Sequence, residues 1–378
     1  MKRYLLTPGP TPLPPQVTAA LGRPIIHHRT DEYRQLFKEV NEQLKYLFQT
    51  KQDVFTFASS GTGAMEAAVV NLLTEGEKAL VVKGGKFGER WAEICEAFRV
   101  EVIPMEIEWG KSPSPDAIKE ALDRNPDIKV VFTTLCETST GAKTDICGIA
   151  EVVDRTDTVI ATDAISALGA MELKMDEWGI DVVVAGSQKG IMLPPGLAFI
   201  SLSEKTQTLT ERAGLPSYYW NLNRYKKSIQ KGETPYTPSV SLVVALREAL
   251  RLIEDEGIEN VWKRHALMAE ATREAIKALR LELLASSPAE AVTAVKLPDT
   301  IDGLKLYNIM KNELGVQVAG GQAHLKGKII RIAHLGHMDS SDIIIGISAL
   351  ETALKRLDYP VKMGAGIRAA QEVLYKSR

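Results

Sequence analysis

Lys189 and Asp163 are the two titratable side chains of this 378-residue chain whose settings suit them best to chemistry. Lys189 stands in Gly186-Ser187-Gln188-Lys189-Gly190, between two apolar runs, with Pro194 and Pro195 soon after. A lysine so placed is partly desolvated, which lowers its pKa toward the nucleophilic free amine. Asp163 closes the apolar run Val159-Ile160-Ala161-Thr162. A carboxylate there costs desolvation free energy unless it finds a partner. Each has an ordinary reading beside the chemical one. Asp163 could cap a helix beginning at Ala164, and Lys189 could be a surface-loop lysine with its stem along apolar surface. The flanking Gly186 and Gly190, and a separation of 26 residues that fits one crossover unit, favour the pair.

Three other stretches add possible ligands. Ser59-Ser60-Gly61-Thr62-Gly63 suits an anion: its glycines admit close backbone approach, and Ser60 and Thr62 bring hydroxyl donors. A helix following it would offer free N–H groups. The same loop serves equally as a tight strand-to-helix turn capped by Ser60 or Thr62. No Gly-Lys-Ser/Thr follows it, and it lacks the GxGxxG pattern, so it is neither a Walker loop nor a dinucleotide fingerprint. Cys136-Glu137-Thr138-Ser139-Thr140-Gly141 is a hydroxyl cluster. Arg331, among isoleucines in Lys328–His334, either pairs with an internal carboxylate or grips the carboxylate of a ligand. His334 and His337 have no further ligand types nearby, which argues against a metal site.

The surrounding pattern says what positions these residues. Short apolar runs at Val54–Ala58, Ala79–Val82, Val100–Pro104, Ile128–Thr133, Thr158–Thr162, Asp181–Ala185 and Leu197–Leu202 read as seven strands. They alternate with helical segments such as Ala64–Leu73, Phe87–Phe98 and Asp116–Leu122, which implies an α/β fold with a mostly parallel seven-stranded sheet. Ligands of such sheets bind beyond the carboxyl ends of the strands. The anion loop, the hydroxyl cluster, Asp163 and Lys189 all follow strand ends and therefore fall on one edge. A buried aspartate beside a pyridine nitrogen keeps that nitrogen protonated and makes the ring an electron sink, with a lysine amine as the natural partner.

From Ser239 onward the texture becomes a long helical stretch rich in Glu and Arg. Strand candidates follow at Ala291–Lys296 and Lys328–Ala333, with helices near Leu304–Leu314 and Ser341–Leu354. The expected organisation is an N-terminal arm (1–15), a large domain (16–255) and a smaller C-terminal α/β domain (256–378). The arm, with Pro8, Pro10, Pro12, Pro14 and Pro15, should lie extended and not helical. A charged amphipathic helix is expected over Glu32–Phe48.

A net charge of −2 and a pI near 6.4 suggest neither a nucleic-acid nor an anionic-membrane partner. The basic run Arg224, Lys226, Lys227 and Lys231 reads as a solvated face. Cys95, Cys136 and Cys147 have no paired spacing, which argues against disulfides and zinc. The first residues form neither a signal peptide nor a membrane anchor, so a soluble, cytoplasmic protein is expected.

In their order, LLTPGPTPLP, SSGTGAMEAA, TTLCETSTG, TDAISALG, GSQKG, TPYTPS and RIAHLGH resemble the class V aminotransferases of fold type I. The similarity is to the alanine–glyoxylate and serine–glyoxylate (serine–pyruvate) branch and spans residues 4 to 355. It implies pyridoxal 5'-phosphate (PLP) as cofactor, held as an imine by Lys189, which would also shuttle the proton. Asp163 would hold the pyridine nitrogen and Ser139 the ring hydroxyl. Ser60, Gly61, Thr62 and Gln188 would hold the phosphate, and Phe87 would stack on the ring. Thr237 would reach the phosphate in the partner subunit of a homodimer. Arg331 would clamp the carboxylate of the substrate, with Pro8-Gly9-Pro10 lining the entrance. The chain departs from the pattern in three places. The stacking ring is often Trp or Tyr, Thr62 stands where some members carry His, and Thr234 where some carry Tyr.

The implied activity moves an amino group from alanine or serine to glyoxylate or pyruvate by a ping-pong route. Three alternatives stand beside it. An aspartate-type enzyme would need a second cation, for which Arg29 or a residue of a partner chain is a candidate. A cysteine desulfurase would need a thiol in the second domain, which has no cysteine, and a His before the lysine where Gln188 stands. A catalytically silent relative would not be expected to carry Lys189, Asp163 and Arg331 together.

Overall fold

The computed structural model describes residues 2–376. All seven expected strands join one sheet: β1 (Val54–Phe57), β2 (Lys78–Lys83), β3 (Glu101–Glu106), β4 (Ile128–Thr134), β5 (Val159–Asp163), β6 (Val182–Gly186) and β7 (Ala198–Leu202). Their spatial order is β1-β7-β6-β5-β4-β2-β3. Strand β7 runs antiparallel to both its neighbours, and the other pairs are parallel. Two reversals cancel, so β1 points the same way as β2 to β6. The ends of all six therefore meet one edge.

The apolar runs are continuous because both sheet faces are buried. Leu80, Val82, Val131, Ile160, Val183, Ala185 and Phe199 enter one core. Their alternating neighbours Ala79, Val81, Val130, Phe132, Ala161, Val182, Val184 and Ile200 enter the other. Helices α1 (Pro15–Leu21) and α2 (Asp31–Phe48) cover the first face, and α3 (Gly61–Leu72) and α4 (Lys86–Ala97) the second.

Two local expectations change. Pro15 is not part of the extended arm but opens α1, where its missing N–H costs nothing because first-turn amides have no helical partner. Helix α3 begins at Gly61, three residues before the expected Ala64. Ser60 is extended (φ −84°, ψ 166°) and its side chain makes no cap bond, which leaves the first amides of α3 facing the sheet edge.

The C-terminal region has its own antiparallel sheet, in the order Glu282–Leu283, Val292–Lys296, Ile329–Ala333, Ala319–Gly320. It packs with helices Ile258–Ala278 and Ser340–Arg356 around a third core. Leu6 of the arm is wholly buried in that core, and Tyr4–Leu5 pairs in parallel with Val316–Gln317. The arm then leaves this region and crosses the edge of the seven-stranded sheet.

Candidate active site

Asp163 is the last residue of β5, flanked in register by Thr134 of β4 and Val184 of β6. No helix starts after it. A turn follows, and Asp163 Oδ1 accepts from Ile165 N at 2.7 Å. The capping alternative therefore fails, and the carboxylate is left buried with one backbone donor. Burial lifts its pKa to about 7, against the lowering pull of the Ile165 amide, Lys189 and Arg90.

Lys189 follows β6 on the next strand end. Its side chain is 9% exposed, and burial brings its ammonium down to about 8 although Asp163 pulls the other way. The arm encloses it. Lys189 Nζ donates to Pro8 O, Thr11 Oγ1 donates to Lys189 O at 3.0 Å, and Gly9 lies against the lysine stem.

Ser139 is wholly buried and its hydroxyl donates to Glu137 Oε1 at 2.5 Å. Glu137 Oε2 accepts from Phe87 N and Gly88 N, both at 3.0 Å, at the start of α4. A third amide of that turn, Lys86 N, donates to Ser139 Oγ at 3.1 Å. One buried carboxylate thus fixes the serine and the helix end that carries Phe87. Burial raises the Glu137 pKa.

Around the α3 start, Gly61 packs on Ile165, where a Cβ would meet Ile165 Cδ1 at 2.5 Å. Gly186 faces both Gln188 Oε1 and Gly61 N, 3.2 and 3.4 Å from where its own Cβ would stand. Gln188 Oε1 is buried with no hydrogen-bond partner, and the exposed Ser60 offers its hydroxyl to nothing in α3. Unpaired polar groups and free amides at one helix start suit a phosphate monoester. Thr62 is half-buried and receives Arg90 Nη1 at 3.3 Å, and the Arg90 guanidinium lies 4.9 Å over the Phe87 ring. Thr237 is exposed, outside this cluster, on the segment before helix Val240–Glu256.

Arg331 comes from the other sheet, opposite Ala294 and Ala319. It is 7% exposed, donating from Nε to Gly320 O at 2.9 Å and from Nη1 to Thr138 O at 2.8 Å. Among the described residues no carboxylate forms an ion pair with it. Burial lowers its pKa, opposed by Glu137. An internal partner was one of its two readings, and the structure supplies none. A buried guanidinium without an anion is a site waiting for one.

The family model for aminotransferase class V matches residues 3–338. The chain is a class V aminotransferase. Members of this family depend on PLP, and the chain shares that dependence and the fold type I architecture. A soluble hydrogenase small subunit of Synechococcus is 42% identical over 99% of this chain and 98% of its own length. An L-aspartate–glyoxylate aminotransferase of Paracoccus denitrificans is 34% identical over 97% of this chain and 95% of its own. A serine–glyoxylate aminotransferase of Methylorubrum extorquens is 34% identical over 99% and 96% respectively. Among solved structures, the ureidoglycine–glyoxylate aminotransferase of Bacillus subtilis superposes with a TM-score of 0.94 at 28% identity, covering 99% of this chain and 98% of that one.

The residues of this class V aminotransferase fit the cofactor on their own chemistry. An amine of lowered pKa, a buried carboxylate, an orphaned amide and a free helix start meet at one edge. Two members of the cluster escaped sequence reading. Glu137 was visible only as part of a hydroxyl run, and its buried bonding to α4 has no local signature. Arg90 sits among Glu89 and Glu93 in a charged helix pattern that reads as a solvated face.

Proposed function

We propose that this aminotransferase moves the amino group of a small L-amino acid, alanine or serine, to a small 2-oxo acid, glyoxylate or pyruvate. The observation that carries the proposal is the convergence of the Lys189 amine, the Asp163 carboxylate and the unpaired Arg331 guanidinium. When bound, PLP supplies an electron sink for the bond to the substrate Cα hydrogen. Lys189 is the group that holds the cofactor and carries the proton at Nζ, which its lowered pKa suits. Asp163 keeps a proton on the pyridine nitrogen. Ser139 holds the ring hydroxyl, Phe87 covers the ring, and Ser60, Gly61, Thr62 and Gln188 hold the phosphate. Arg331 orients the substrate carboxylate, and Gly9 keeps the entrance narrow.

A homodimer in the cytoplasm completes the proposal. Thr237 and the 67% exposed Tyr218 on the same stretch of chain support a partner-facing segment. Among the described residues, no helix is long and apolar enough to cross a membrane.

Glyoxylate recurs in the names of the Paracoccus, Methylorubrum and Bacillus proteins, which supports it as acceptor. The Paracoccus name raises aspartate as donor. Arg29, a candidate cation for a second carboxylate, is paired with Glu233, which favours monocarboxylic donors. The Synechococcus name points to hydrogenase chemistry. Among the described residues no group of three or more His, Cys, Asp and Glu could hold a metal ion, so no built metal centre supports that second reading. The deciding experiment adds single amino acids to the PLP-loaded protein and follows the visible band. L-serine or L-alanine should bleach it, and glyoxylate should restore it. No response to either donor, with a response to L-aspartate alone, would reject the proposed donors.

A further inference from the structure

Among the described residues, Arg90 is the strongly basic side chain that bonds the anion loop, and neither composition nor spacing pointed to it. Its Nη1 donates to Thr62 Oγ1 at 3.3 Å, and its Cζ lies 4.9 Å from the centroid of the Phe87 ring. Among the described residues it forms no ion pair, although Glu89 and Glu93 share its helix. Glu89 is taken up by Lys86. The guanidinium has therefore turned away from the carboxylates of its own helix and toward a loop with no anion of its own. It also bears on Asp163 and Lys189, lowering the pKa of each, which places its charge within the cluster.

The other members of the anion loop are neutral. Ser60, Thr62 and Gln188 offer dipoles, and the start of α3 offers about half an elementary charge. A phosphate monoester near neutral pH carries nearly two negative charges. A neutral cradle leaves that charge short of compensation, and charge-assisted donors are about twice as strong as neutral ones.

We propose that Arg90 is a cofactor-positioning residue whose guanidinium, held by Thr62 and Phe87, supplies the cationic side of the phosphate cradle. The inference rests on PLP occupying the site as described above. Arg90 acts on the phosphate end, and its contacts with Thr62 and Phe87 hold the guanidinium in place.

The test compares PLP with pyridoxal, which lacks the phosphate. Full-length protein stripped of cofactor is titrated with each, and binding is read from the visible band and from tryptophan quenching. Arg90→Gln should raise the Kd for PLP by about 10- to 100-fold, the range of one charged hydrogen bond. The Kd for pyridoxal should stay within about twofold on the same scale. Arg90→Lys should recover part of the PLP affinity, and it decides the question if the glutamine variant does not fold. Equal weakening of both ligands would overturn the proposal in favour of ring packing. Unchanged binding of both, with a KM effect confined to L-aspartate, would overturn it in favour of a substrate role. Failure of wild-type protein to bind PLP would instead remove the reading on which the proposal stands.

Discussion

Gly9 lies so close to Lys189 that a Cβ on it would stand 2.5 Å from Cδ, Cε and Nζ of the lysine. Its φ of +125° is also one that side-chain-bearing residues rarely adopt. Gly9→Ala must displace either the arm or the lysine. Misplacing a reacting group by about 1 Å can cost 10²-fold in rate. We expect kcat/KM to fall by about that factor with cofactor still bound, measured by steady-state kinetics beside the visible absorbance. Wild-type kinetics would show that the lysine does not work in this pose.

The pH behaviour follows from two opposed shifts. Lys189 has a folded pKa of about 8, below its ordinary 10.5, so its buried charge costs stability below pH 8, and the cost fades as pH rises toward 10.5. Asp163 has a folded pKa of about 7, above its ordinary 3.8, so its cost is full above pH 7 and fades as pH falls toward 3.8. Between pH 7 and 8 both charges are present and attract one another. In the role proposed for Lys189, capture of the cofactor needs the neutral amine. Mixed rapidly with PLP, the cofactor-free protein should react faster as pH rises and level off above about 8. A rate that is flat from pH 6.5 to 9 would contradict the lowered amine pKa.

The legible parts of this site are those punctuated along the chain. Asp163 and Lys189 interrupt apolar runs at strand ends, and continuous burial on both sheet faces is what makes those runs readable. Arg331 stands out for the same reason, a charge inside a run of isoleucines. Glu137, Arg90 and the anchoring of the arm by Leu6 were not legible. Glu137 matters through amides about 50 residues earlier, Arg90 through a turn of its side chain away from its own helix, and the arm through Leu6 in a distant core. These contacts exist only after the β4–β2 pairing and the small sheet have formed. Local periodicity carries no trace of them.

Glu137 offers a stability test separate from catalysis. Its carboxylate accepts from Phe87 N, Gly88 N, Ser139 N and Ser139 Oγ. Glu137→Ala leaves the part-buried Phe87 amide and the buried Gly88 amide at the α4 start without this partner, at about 1–3 kcal/mol for each group left unsatisfied. Urea unfolding of the cofactor-free protein should show a loss of roughly 2–4 kcal/mol on that basis. Removing this negative charge should also let the Asp163 pKa fall, since Glu137 is one of the groups raising it. A loss below about 0.5 kcal/mol, the size of an ordinary surface change, would mean the network relaxes freely.

The clamp role proposed for Arg331 predicts a split between binding and turnover. A guanidinium has five N–H donors, and two of them are committed to Gly320 O and Thr138 O. The remaining donors, which lie on Nη1 and Nη2, can receive both oxygens of a carboxylate side by side. Lysine cannot hold two anchors and grip an anion bidentately at once. Arg331→Lys should therefore raise the KM for the amino donor by about 10- to 100-fold, the worth of a lost charge-assisted bond. The band of the bound cofactor should stay intact, because Arg331 donates to Gly320 and Thr138 and not to the cradle at the α3 start. A fall in kcat at unchanged KM would mean that this guanidinium holds the two sheets together and not the substrate.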